Sequence, residues 1–171
     1  AVPESELVVR GYHREIIGMP WSPEEWDAAF RRMTEIDHVQ RIPNHASPPS
    51  DVGIVHVHHA QANWVLHLKE PADQLGRMEV DAAQLQRTFF EPELNIKDPR
   101  NDKRLAYIPG TLNSADLRAR VMKQPDSVVF ELHPVPTRLI KETADRGGYL
   151  PPKSTWVEPK LRSGLFIHDI Q

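Results

Sequence analysis

The sequence predicts one α+β domain: a mixed, mostly antiparallel sheet with a hairpin at about residues 53–69 and three to four helices packed on it. Three observations carry this. Two short runs, Gly53-Ile54-Val55-His56-Val57-His58-His59 and Asn63-Trp64-Val65-Leu66-His67-Leu68, alternate apolar and polar residues as half-buried strands do. Helical patterns alternate with strands, but unevenly, which argues against a regular doubly wound sheet. The 171 residues suit a single domain with a real core, and no repeat or low-complexity tract divides them.

In chain order, residues 7–17 read as a strand or strand pair, with Gly11 a bulge position. Ser22-Pro23-Glu24-Glu25 starts a helix: Ser22 caps, Pro23 suits the first turn, and Glu25 closes a capping box. Trp26, Ala29, Phe30 and Met33 then form one apolar stripe, and the helix stops near Glu35. Residues 36–42 are a weak strand and 43–50 a turn-rich loop. In the hairpin, apolar matching places Val57 opposite Leu66 and Val55 opposite Leu68, with Ala60 to Asn63 as a four-residue turn.

Residues 71–76 form a loop. Asp81 caps a helix carrying Ala82, Leu85 and Phe89, which Pro92 ends. A charged turn at 97–103 precedes a strand at 105–108, closed by Pro109-Gly110. Asn113 or Ser114 caps a helix through Leu117 and Val121. Val128-Val129-Phe130-Glu131-Leu132 has a continuous apolar start and belongs in the middle of a sheet. Pro136-Thr137 opens a last helix, with Leu139, Ile140 and Thr143 inward, and Gly147-Gly148 stops it. Leu165-Phe166-Ile167 reads as a strand.

Composition narrows the functional classes. A net charge of −3 without a basic stripe argues against a nucleic-acid partner. The absence of cysteine excludes disulfides and thiolate metal sites, in keeping with a cytoplasmic setting. No apolar run is long enough to cross a bilayer, and the first residues have no signal-peptide pattern. No P-loop, G-x-G-x-x-G or G-x-S-x-G motif is present, so neither a nucleotide fingerprint nor a nucleophilic triad can be argued, and no catalytic residue is assigned.

Two candidate sites remain. The first is the proline-braced segment 151–165. Lys153, Lys160 and Arg162 offer charge there, and Ser154, Thr155 and Ser163 offer hydroxyls, a donor mix suited to a phosphate or carboxylate. The second is His56, His58 and His67. In the expected register they share a face of the hairpin, where three imidazoles could hold zinc, although the bland alternative is a solvent-facing polar side. His13, in an apolar strand, reads as a satisfied core or edge residue.

The run from Ala144 to Leu165, with Lys153, Ser154, Thr155, Pro159, Lys160, Leu161, Ser163, Gly164 and Leu165 in place, resembles the ending of the bacterial and archaeal "domain of unknown function 1015" family. Arg10 to Ile17 is similar to its "PYHRVV" strand, Phe90 to Ile96 to its "LEPLLGI", and Arg104 to Ile108 to its "RIAYV". Asn95 stands where the family usually has glycine, and Val157-Glu158 where it often has aromatic residues. The resemblance implies a chain corresponding to the C-terminal half only. The family's N-terminal half, with an A-D-G-H-H-R motif and a ParB/sulfiredoxin-like fold that includes free-serine kinases, has no counterpart here.

Three readings follow. The chain is an accessory domain of a nucleotide-dependent, kinase-like protein, whose 151–165 loop binds phosphate or nucleotide beside a ParB/sulfiredoxin-like half. Alternatively it is a non-catalytic interaction or regulatory module. The third reading is a histidine-based zinc protein. On none of them is this chain alone expected to be an enzyme.

Overall fold

The computed structural model describes residues 7–43, 47–70 and 79–159. The strand expected at 165–167 and the loop expected at 71–76 lie outside them. The core of the fold is a six-stranded sheet in the order β3-β5-β4-β7-β2-β6, formed by Ile36–Ile42, Asn63–Leu68, Ile54–His59, Val128–Leu132, Tyr12–Ile16 and Leu105–Pro109. Every described pairing is antiparallel. The α+β class and the single sheet-based body match the sequence expectation. Val128–Leu132 is buried along its whole length between β4 and β2, as its apolar start implies.

One sheet face carries the main core. Helix α1 (Pro23–Arg32) begins with the expected capping box, Ser22 with Glu25. Its stripe seats Trp26 and Phe30 among Trp64, Phe89 and Phe130, with ring centroids 5.4 Å apart for Phe30–Trp64 and 6.5 Å for Trp26–Phe130. Asp81 does not cap α2 (Asp81–Leu85): the cap position is Val80, and Asp81 is buried inside the first turn. Gln86–Phe90 then widens into a π-helical turn, with Glu91 N–H donating to Gln86 O. The wider turn lets the adjacent Phe89 and Phe90 both reach the core, which a regular helix period does not favour.

Helix α3 (Ser114–Lys123) covers part of the opposite face, where Leu117 and Val121 meet Ile108 and Val129. Asn113 is its cap, in a capping box with Asp116. Helix α4 (Thr137–Asp145) buries Leu139 and ends at Gly147, in the left-handed region at φ 68°.

Two further expectations need correction. The hairpin register is shifted by two residues: Val55 faces Leu66, Val57 faces Trp64, and His59 N–H bonds Ala62 O across a tight Ala60-Gln61 turn. A two-residue slip keeps every side chain on its face, so apolar matching alone could not choose between the registers. The segment after Pro152 is also not all loop. Trp156–Glu158 forms β8 and pairs with β1 (Val8–Arg10) in a separate two-stranded sheet. Among the described residues, no helix is long and apolar enough to cross a membrane.

Candidate functional site

Strand β2 sends alternate side chains to opposite faces. Tyr12 and Arg14 point to the side of the main core, and His13 and Glu15 to the side of α3. The strand therefore separates two polar sites that share its backbone.

On the α3 side, Glu131 stands in the middle of the sheet and is only 1% exposed. His58 Nε2 lies 2.7 Å from Glu131 Oε2, and the Ser114 hydroxyl donates to Glu131 Oε1 at 2.8 Å. Burial opposes ionisation of this carboxyl, but His58 and Ser114 outweigh it and hold the group below the usual carboxylate range. His13, 4% exposed, accepts the Leu132 N–H at Nδ1, 3.1 Å away, which leaves the proton on Nε2. Burial pushes its pKa down to about 4, so the ring is neutral at physiological pH. Helix α3 answers the other buried polar groups of this face: Arg120 grips Glu15 with two bonds of 2.7 and 2.8 Å, and Arg118 donates to Asn63.

His13, Ser114 and Glu131 line an open cleft of about 570 Å³ between β1, the start of α3 and the end of β7. Its wall is tight because Gly11 and Gly110 bring backbones together. A Cβ on Gly11 would meet Leu132 O, and one on Gly110 would meet Gly11 O.

On the other side, Arg14 is 3% exposed and reaches the 151–155 segment. Its Nη1 donates to Tyr12 O at 2.8 Å and Lys153 O at 3.1 Å, and its Nη2 to Pro152 O at 3.3 Å. The guanidinium sits 4.6 Å from the centre of the Tyr107 ring, and Lys153 Nζ lies 4.9 Å from the same ring. Neither cation has a carboxylate partner among the described residues. Burial lowers the Arg14 pKa to about 10, so the charge persists at neutral pH. Trp156 and Tyr107 both pack edge-on to Tyr12, at 5.8 and 6.3 Å.

The expected loop residues divide. Lys153 is exposed with φ 53° and takes part in the cation–aromatic cluster. Ser154 is buried, and its hydroxyl donates to Pro151 O at 2.7 Å, so that group closes a turn. Thr155 is half-buried beside it. Lys160, Arg162 and Ser163 lie outside the described residues.

The expected histidine trio is not assembled. His56 faces Val65 and Glu131 in the ladder, His58 engages Glu131, and His67 pairs with His38 on β3, their rings 5.9 Å apart. Among the described residues no three His, Asp or Glu side chains could hold a metal ion together. The register shift is the cause, since it takes His67 from opposite His56 to opposite Ile54.

Sequence reasoning missed His13, Arg14, Ser114 and Glu131. The available signal was the period-two pattern of Tyr12-His13-Arg14-Glu15, which puts two ionisable residues on each face of a strand that must be buried. No family model matches the chain, and no curated protein matches it.

Proposed function

We propose that this chain is a cytoplasmic accessory domain of a nucleotide-dependent, kinase-like protein, and that its 151–155 segment helps to bind an anionic phosphate group. The single observation behind this reading is the pairing of Arg14 and Lys153 on Tyr107 with no carboxylate to balance them among the described residues. A buried cation without a counter-charge is costly. Carbonyls alone satisfy part of its donor fork, and an incoming oxyanion supplies the missing charge. The resemblance of the Pro151 to Leu165 run to a family with a ParB/sulfiredoxin-like half supplies the nucleotide-dependent part of the reading. Such a half would complete the site.

The test is calorimetric titration of the purified chain with inorganic phosphate and with ADP. Binding that Lys153→Ala weakens roughly five- to tenfold is the expected result. No binding of either probe, or binding indifferent to Lys153, would instead leave the segment as a docking element of a non-catalytic module.

A further inference from the structure

At the far edge of the six-stranded sheet two histidines stand side by side. Strand β3 is outermost there and pairs only with β5 among the described residues. Val39, Leu66 and Leu68 turn into the main core, so His38 and His67 lie on the opposite face. Helix α3 packs mainly on β4 and β7, and the pair stays accessible: His38 is exposed and His67 half-buried.

A β-bulge makes this pairing. Ile36 faces Leu68, but the next pair in the ladder is His38 with His67, which leaves Asp37 as the extra residue. In an unbroken ladder Asp37 would stand opposite His67, and His38 would face Leu66 on the core side. The inserted residue therefore moves His38 to the open face and sets it against His67. Bulges commonly re-aim a side chain in this way beside a site.

The two ring centroids are 5.9 Å apart and the planes are inclined at 43°. A metal bonded to one nitrogen of each ring, at about 2.0–2.1 Å, holds the centroids roughly 5–6 Å apart. The observed spacing falls in that range before any ion is bound. Neither ring has a hydrogen-bond partner among the described residues, so no internal contact competes for the nitrogens. Once one imidazole binds, the ladder already holds the other within reach, which is the advantage of a chelate. Imidazole nitrogen suits Cu²⁺, Ni²⁺ and Zn²⁺, whereas Mg²⁺ and Ca²⁺ favour oxygen. Among the described residues no third His, Asp or Glu completes the shell, so an ion held here keeps positions for water or an outside ligand.

We propose that His38 and His67 form a two-histidine chelate site for a divalent transition-metal ion, tightest for Cu²⁺, with the remaining coordination positions open. The site uses the ladder partner His38 in place of the His56 and His58 expected from the sequence. It is separate from the Arg14–Lys153 cluster and does not depend on the reading given to that cluster.

The experiment follows the imidazole NMR signals of the purified chain during titration with ZnCl₂, which is diamagnetic and leaves the lines visible. CuCl₂ and MgCl₂ are then added as competitors. Zn²⁺ is expected to move the His38 and His67 rings together, with one shared midpoint below millimolar ion. Cu²⁺ should displace it, and Mg²⁺ should not. His38→Gln and His67→Gln each leave one ring as reporter, and Zn²⁺ binding at that ring should weaken at least about tenfold. Because His38 is exposed, His38→Gln carries the test should His67→Gln disturb the sheet. Lys153→Ala should leave both rings responding as before, so failure here and failure of the loop reading are distinguishable. Silence of both rings toward Zn²⁺ and Cu²⁺ below millimolar ion overturns the proposal. So does a response of one ring alone, or an undiminished response of the reporter ring after its partner is removed.

Discussion

Replacing Asp81 by asparagine should stabilise the protein at neutral pH and do nothing in acid. Asp81 is 6% exposed, and its Oδ1 accepts the Gly53 N–H at 3.0 Å. Burial raises its pKa from 3.8 to about 6, with the nearby Asp51 adding to the rise. The folded protein therefore holds this proton more tightly than the unfolded chain does. The resulting stabilisation is complete below pH 3.8 and is lost as pH rises through about 6. The difference of about two pH decades, at roughly 1.36 kcal/mol each, amounts to about 3 kcal/mol. Asparagine keeps the acceptor for Gly53 and never ionises. The variant should match the wild type near pH 4 and exceed it by up to about 3 kcal/mol above pH 7, or about 6–12 °C in Tm for a domain of this size. Urea unfolding followed by tryptophan fluorescence across that pH range measures the gap. A variant no more stable than wild type at neutral pH, or a gap that persists on acidification, would refute the assignment of the strain to the buried charge.

His13 sets the opposite trend. Its folded pKa of about 4 lies below 6.5, so its contribution is present above pH 6.5 and is lost as pH falls through about 4, again about 3 kcal/mol. In the wild type the two groups offset each other between pH 4 and 6.5; in the Asp81→Asn background the acid-side loss should emerge, and a flat profile there would contradict the burial of a neutral His13. Ser114→Ala removes a donor to the buried Glu131 carboxylate while sparing the Asn113 cap, and should cost about 1.5–3 kcal/mol in urea unfolding. An effect under about 0.5 kcal/mol would mean that the carboxylate is not dependent on that hydroxyl. Gly110→Ala drives a Cβ into the Gly11 carbonyl and the Arg10 side chain, and a loss of about 1–3 kcal/mol is expected; a neutral outcome would show that the cleft wall can relax.

The features that could be read from the chain are those decided within a few residues. The Ser22–Glu25 capping box acts over three positions and is found; for α3 the sequence left Asn113 and Ser114 as alternative caps, and Asn113 is the one used, in a box with Asp116. The central place of Val128–Leu132 follows from its unbroken apolar start. Asp81 misled because an acidic residue before a helical pattern looks like a cap, whereas Val80 holds the cap position and the buried Asp81 carboxyl accepts the Gly53 N–H. Lys153 stands in the cation–aromatic cluster on Tyr107, whereas Ser154, expected as a presented donor, spends its hydroxyl hydrogen bond on Pro151 O.

The amino-acid sequence by itself determined most of the strands and helices, the start of α1, and which side chains share a face of the hairpin, because period and capping are local interactions. Only the tertiary structure decided the hairpin register, the pairing of β1 with β8, and the meeting of His13, His58, Ser114 and Glu131. Those depend on contacts between residues as far apart as His13 and Leu132. A polar group in an apolar strand shows that some partner must exist, since it cannot be buried alone; which partner it finds is set by how the sheet stacks its strands.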